Sequence, residues 1–330
     1  TTIEGNSNIN FSLVGKLNDS LKMSPNLNLD VQVSNGLLNY KKGPHPIKNL
    51  SFDTKILLPN LNPDSLKISV SDFNFNLNEG FAKGNLNYIA PTTIQSKINA
   101  KLDLGTLKQA SGLDKFDMKG LLELDGEVNG TYREATRVVG LQKKKETYIA
   151  SIPTINLVSK LTNGYFKMKE LPAAVEAINA NVEIKNTDGN YKNTSVLIHQ
   201  LNAKSLNNYI EGYAKIENLN NFKMQTNLKA KVNLAEITSI YPVESVALNG
   251  MLDVNFKANG TYEPKRNIFP VSNSHIKLSN GFIKHKDFAE LPIEEISVET
   301  YVSSSRGSMS DLKIQVLPIS FKLAGEPFKL

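Results

Sequence analysis

Two stretches of this chain repeat one another at a fixed distance, and that repetition limits the possible folds more than any other feature. MKGLLELDGEVNGTY, from Met118 to Tyr132, matches LNGMLDVNFKANGTY, from Leu248 to Tyr262, at an offset of 130 residues. Upstream, KLDLGTL at Lys101 to Leu107 and KVNLAEI at Lys231 to Ile237 keep the same offset. A shorter motif occurs three times, as VSNGLL (Val33 to Leu38), LTNGYF (Leu161 to Phe166) and LSNGFI (Leu278 to Ile283), each followed by a Pro and a strand pattern. Gly36 and Gly130 lie 94 residues apart, and Gly164 and Gly260 lie 96 apart. A spacing kept that closely means one unit was duplicated. The third copy is partial: ISFKLAGEPFKL, ending at Leu330, resembles the AKSLNNYIEGYAKI stretch around Gly212. The expected organisation is therefore the end of a preceding repeat or leading strands at 1–30, a first β repeat at 31–132, a connecting excursion at 133–158, a second repeat at 159–262 and a partial third at 263–330. The excursion holds REATRVVGLQKKKETY, because 34 residues separate Gly130 from Gly164 and only 21 separate Gly260 from Gly281.

Within each repeat the period is two. Leu27, Leu29, Val31 and Val33 interleave with Asn28, Asp30, Gln32 and Ser34, and Met224 to Leu234 alternates in the same way. Period two predicts strands, each with one apolar and one polar face, and a clean alternation favours antiparallel sheet. Helix is scarce. LGTLKQASG follows Asp103 and LAEITSIYP follows Asn233, each behind a candidate N-cap and closing at Gly112 or Pro242. The fold class is thus mostly β: a repeated antiparallel, curled sheet with one short helix per repeat. About seven or eight strands per unit would add roughly 35 Å of sheet. The 39 asparagines suit polar strand faces and turns. The Asn-Gly pairs read as two-residue hairpin turns in preference to glycosylation acceptors.

Composition narrows the chemistry. An apolar share of 40% and a charged share of 21% allow a folded core. No run of 18 apolar residues occurs, and the chain begins TTIEGNSNIN without a signal region, so it is expected to be a segment of a longer protein. Zero cysteines exclude disulfides, thiolate metal sites and Cys nucleophiles. The formal charge of +6 is scattered, with Lys143, Lys144 and Lys145 forming the one basic run, taken as a solvated loop. The four histidines are dispersed, and no metal, phosphate-binding or nucleophile-elbow motif can be written, so no cofactor is expected. Ser303 to Ser305 with Arg306 and Gly307 reads as a turn. The carboxylates Glu123, Asp125 and Glu127 share a strand face, but their counterparts are Asp253, Asn255 and Lys257, which keeps polarity and loses acidity. Catalysis by a carboxylate pair is disfavoured accordingly, as it is at Glu294 and Glu295. Aromatics fall on the apolar strand phase, which argues against nucleic acid.

The order of these elements, a short LDLGTLKQ or VNLAEITS segment, then MKGLLELDGEVNG or LNGMLDVNFKANG, then GEPFKL, resembles the C-terminal half of AsmA-like proteins across nearly the whole chain. That resemblance implies a non-catalytic cell-envelope protein of the periplasm, held in the inner membrane by an N-terminal anchor outside this segment. It also implies a curled sheet whose apolar side carries phospholipid acyl chains between membranes. The candidate lipid-facing residues are Phe73, Phe75 and Leu77 on one strand, Leu122, Leu124 and Val128 on another, and Leu228, Val232, Leu252, Val254 and Phe256 in the second repeat. The alternative is a structural scaffold that assists outer-membrane assembly, in which the same apolar phase is closed inside a sandwich.

Overall fold

The computed structural model describes residues 1–18, 20, 23–41, 43–113, 115–140, 144–168, 173–240, 245–285 and 291–330. The elements run β1 (Thr2–Val14), β2 (Asn26–Asn39), β3 (Ile47–Leu58), β4 (Lys67–Leu77), β5 (Gly80–Ile89), β6 (Thr93–Asp103), α1 (Leu104–Ser111) and β7 (Phe116–Thr131). There follow β8 (Arg133–Val139), β9 (Lys144–Ser151), β10 (Thr154–Met168), β11 (Val175–Asn186), β12 (Ser195–Ser205), β13 (Asn208–Asn218), β14 (Lys223–Asn233), α2 (Leu234–Ile240) and β15 (Val246–Gly260). The chain ends with β16 (Val271–His285), β17 (Ile293–Ser304), β18 (Lys313–Val316), β19 (Ser320–Leu323) and β20 (Glu326–Lys329). All strands except β8 and β9 belong to one antiparallel sheet of 18 strands that is not closed. Most strands pair with their neighbours in sequence; β7 pairs with β10 across the β8–β9 excursion, and β18 and β19 both pair with β17.

β2–β7 and β10–β15 share an order of elements: two strands, a 3-10 segment (two in succession in the first set, one in the second), three strands, an α-helix and a final strand. Each copy holds six strands, not seven or eight. Six at about 4.8 Å give roughly 29 Å of sheet for β2–β7. The first strand, β1, has the glycines of a repeat's last strand: Gly5 and Gly15 have φ of 130° and 137°, against 114° and 135° at Gly120 and Gly130 and 118° and 130° at Gly250 and Gly260. Glycine is needed at the first of these because the backbones nearly touch. A Cβ on Gly5 would lie 2.8 Å from the Cα of Gly36, and one on Gly250 would lie 2.7 Å from that of Gly281.

The Asn-Gly motifs are not hairpin turns. Asn35, Asn163 and Asn280 lie inside β2, β10 and β16 with φ near +52°. The register slips between Val33 and Gly36 and between Leu278 and Gly281, the signature of a β-bulge. Asn129–Gly130 and Asn259–Gly260 pair in the ladder at the ends of β7 and β15. Asn-Gly accepts a left-handed backbone at little cost, and both a type I′ turn and a bulge use that property. Here the chain bends and goes on in the same direction.

Both helices start where the caps require. The Asp103 carboxylate accepts from the backbone N–H and the hydroxyl of Thr106, each at 2.7 Å, and Gly112 closes α1 with φ 69°. The Asn233 amide oxygen accepts from Ala235 and Glu236 N–H at 3.1 and 3.4 Å. The expected stop of α2 at Pro242 lies outside the described residues. The excursion after β7 is a separate two-stranded sheet, with β8 and β9 paired from Arg133↔Ser151 to Val139↔Lys144. Lys144 and Lys145 therefore open a strand rather than a loop, and both are exposed; Lys143 lies outside the described residues.

By compactness the chain divides into two units. One comprises Thr1–Asp114, Lys119–Lys160 and Glu183–Thr194, and the other Lys115–Met118, Leu161–Val182 and Ser195–Leu330.

Candidate functional site: an apolar sheet face

Residues paired across an antiparallel ladder project to the same side of the sheet. In the first unit, register thus assembles rows from separate strands. Phe11, Leu29, Ile56, Ile68, Tyr88 and Ile94 form one. A second runs Ile9, Val31, Thr54, Val70, Leu86, Ser96, Val128. Phe73, Gly84, Ile98 and Gly126 make a third, and Phe75, Ala82, Ala100 and Leu124 a fourth. Leu102 pairs with Leu122 at the end. All six candidates of this unit, Phe73, Phe75, Leu77, Leu122, Leu124 and Val128, fall on that one face. The bulge between Val70 and Phe73 is what keeps them there, since it absorbs the extra residue that in an unbroken ladder would turn the two halves of β4 to opposite faces.

The second unit repeats the arrangement within itself. Leu228, Phe256, Ser274 and Val302 form one row, Ala230, Val254, Ile276 and Thr300 the next, and Val232, Leu252, Leu278 and Val298 the third. Its five candidates again share a face.

What covers the face differs from place to place. Leu77 is only 3% exposed, packed with Ile47 and with Ala110 of α1. Leu107 of the same helix reaches the neighbouring cluster of Ala82, Ala100 and Leu102. Helix α1 therefore covers one end of the strip, and Leu77 belongs to protein core. Away from the helix the rows are half-buried or exposed: Val70, Leu86, Ile98 and Val128 keep part of their surface, Phe256 is 36% exposed, and Ile9 and Phe11 are each 63% exposed. The inner face of a sandwich would be packed at interior density against a second sheet about 10 Å away.

Gly84 shows how the strip stays level. A Cβ there would come within 2.2 Å of the Lys97 carbonyl oxygen and 3.0 Å of Phe73 Cε1. Phe73 lies over the bare backbone and supplies the apolar cover that the glycine lacks. Residues of β5 and β6 such as Leu86 and Ile98 were not among the sequence candidates. Alanine, glycine and serine at Ala82, Gly84 and Ser96 interrupt the apolar phase there, and only register reveals the continuity.

The opposite face is mainly polar, with Leu57, Phe81, Ile89, Leu121 and Val271 as apolar exceptions on it. Asn74 Nδ2 donates to Ser51 Oγ at 2.5 Å, Ser69 Oγ to Asn87 at 2.7 Å and Asn99 Nδ2 to Asp125 at 2.6 Å. Lys101 pairs with Glu123 at 3.4 Å. Asp125 and Glu123 are thus engaged across the ladder, the first with a neutral and the second with a cationic partner. In the second unit Glu299 takes hydrogen bonds from Tyr301 and from His275 at 3.0 Å, with Lys277 at 3.5 Å, and the first two hold its carboxyl below the usual range. Clefts of about 410 Å³ beside Asn8, Gln32 and Asp53 and of about 300 Å³ beside Asn227, Lys257 and Asn273 lie on this polar side. Among the described residues no group of three His, Asp or Glu side chains could hold a metal.

No family model, curated protein or solved structure matches the chain.

Proposed function

We propose that this chain is a periplasmic segment of an AsmA-like envelope protein, anchored in the inner membrane through another part of the protein. In this reading its apolar sheet face carries phospholipid acyl chains between membranes without catalysis. The supporting observation is the one-sided continuity of the apolar rows, which cross strand after strand within each unit and stay half-exposed wherever no helix lies over them. An acyl chain of roughly 16 carbons loses on the order of 12 kcal/mol on entering water, at about 0.8 kcal/mol per methylene. A strip that presents apolar contact at each successive strand keeps that chain covered along its length. The lipid-facing residues in this reading are Phe73, Phe75, Leu122, Leu124 and Val128 in the first unit and Leu228, Val232, Leu252, Val254 and Phe256 in the second.

The test is the double substitution Val254→Asp/Phe256→Asp, which puts charge on the path. Beside an open face a carboxylate can still reach water, so the fold survives and transfer of a labelled phospholipid between vesicles falls. An intact fold with undiminished transfer refutes the conduit. Gross unfolding favours the scaffold, because the same charges in a closed core are unpaired and dry.

A further inference from the structure

The hairpin of β8 and β9 serves neither the sheet nor the apolar strip. It is a two-stranded sheet of its own, inserted at the first joint between repeats and missing from the shorter second joint. Its base is fastened. Arg133 Nε donates to Ser151 Oγ at 3.2 Å, Ser151 Oγ donates to the Thr131 carbonyl at 2.9 Å, and Ile152 N–H donates to the Gly189 carbonyl at 2.8 Å. The distal half is a different matter. Val138 and Val139 are 60% and 43% exposed, although valine in a strand ordinarily finds a sheet face to bury against.

Register sets the chemistry of that distal half. Val138 pairs with Lys145 and Val139 with Lys144, so each side of the ribbon carries one valine beside one lysine. The next pair is Arg137 and Glu146, joined by an ion pair of 3.0 Å. Both lysines are exposed. A ribbon that buried one side against protein would be apolar on one side and polar on the other. This one is apolar and cationic on both, which suits an end pushed into an interface that surrounds it. The medium that offers hydrocarbon and negative charge together, on every side of an inserted tip, is the headgroup region of an anionic bilayer.

We propose that the β8–β9 hairpin docks onto anionic lipid bilayers, its valines entering the acyl boundary and Lys144 and Lys145 meeting the headgroup phosphates. This stands whether or not the apolar face carries lipid, and the two are separable by experiment.

The chain is mixed with vesicles of phosphatidylcholine alone or with about 30% phosphatidylglycerol, at about 0.1 M and 1 M salt, and the bound fraction is read by sedimentation. Binding is expected on anionic vesicles at the lower salt and not on neutral ones. Lys144→Ala/Lys145→Ala lowers the partition coefficient about twenty-five-fold, at about fivefold per basic residue. Val138→Ser/Val139→Ser, which leaves the charge alone, lowers it about tenfold. Lys265→Ala, at the shorter joint, leaves it unchanged. Because the chain has no cysteine, Val139→Cys takes a single environment-sensitive dye, whose emission shifts to the blue on anionic vesicles. Four results overturn the proposal: no binding to anionic vesicles, binding that both hairpin variants retain, equal loss in Lys265→Ala, or a dye that stays in water while the protein is bound.

Discussion

Replacing Leu77 by alanine separates protein core from open face more sharply than any change on the strip itself. The Leu77 side chain is 3% exposed and wedged between Ile47 and Ala110. Truncation removes three carbons, worth about 2.4 kcal/mol at roughly 0.8 kcal/mol each. The helix is anchored at Asp103 and Gly112 and cannot settle freely into the gap, so a cavity cost adds to this, and the total falls at about 3 to 4 kcal/mol. Leu122→Ala removes the same atoms from a half-buried position and leaves no closed cavity, which places its cost at about half the transfer value, roughly 1 kcal/mol. Urea unfolding followed by far-ultraviolet circular dichroism measures both. A photo-crosslinking side chain supplies the second reading: at position 77 it should label α1, and at position 124 it should label added phospholipid. Equal losses of about 1 kcal/mol in the two variants would show that α1 does not close that end of the strip, and lipid labelling at 77 would show the same.

Gly84→Ala should cost about 2 kcal/mol or more, since its Cβ would meet the Lys97 carbonyl oxygen and the Phe73 ring; a melting temperature unchanged from the parent protein would refute that packing. Asp311 gives a pH dependence. Burial opposes ionisation of its carboxyl, but backbone N–H groups of Arg306, Ser308 and Ser305 and the Ser304 hydroxyl outweigh burial and hold it well below the usual range. A depressed folded value contributes stability that is present above the unfolded carboxylate value and is lost as pH falls toward the folded one. Asp311→Asn should therefore destabilise the chain at neutral pH and flatten the acid limb of its stability profile below about pH 4, and parallel acid limbs in the two proteins would exclude the role.

Much of this architecture could be read from the residues, and the failures have definite causes. Strand β14 announced itself because apolar and polar residues alternate without a break, β2 and β4 because they alternate on either side of a bulge or up to one, and α1 and α2 because Asp103 and Asn233 stand where a cap is needed. The Asn-Gly pairs misled, since a positive φ does not say whether the chain reverses or only bends. The membership of Leu86 and Ile98 in the apolar face stayed hidden because Gly84, Ala82 and Ser96 dilute the pattern, and pairing register is a property of neighbouring strands rather than of one. That Leu77 is core, while Phe75 two residues earlier is only partly so, depends on where α1 comes to rest. Local spacing carries no information about that.

The pairing of most strands with their sequence neighbours has a consequence for how the molecule is made. Apart from β7 with β10 and β17 with β19, the ladders form between consecutive strands, so the entropy lost in closing each is small. A sheet of this kind can grow one strand at a time as the chain is delivered, each new strand templated by the last. It needs no distant segment to arrive first. Under mechanical load the order reverses, and strands should peel from an end in steps of one hairpin while the rest stays paired.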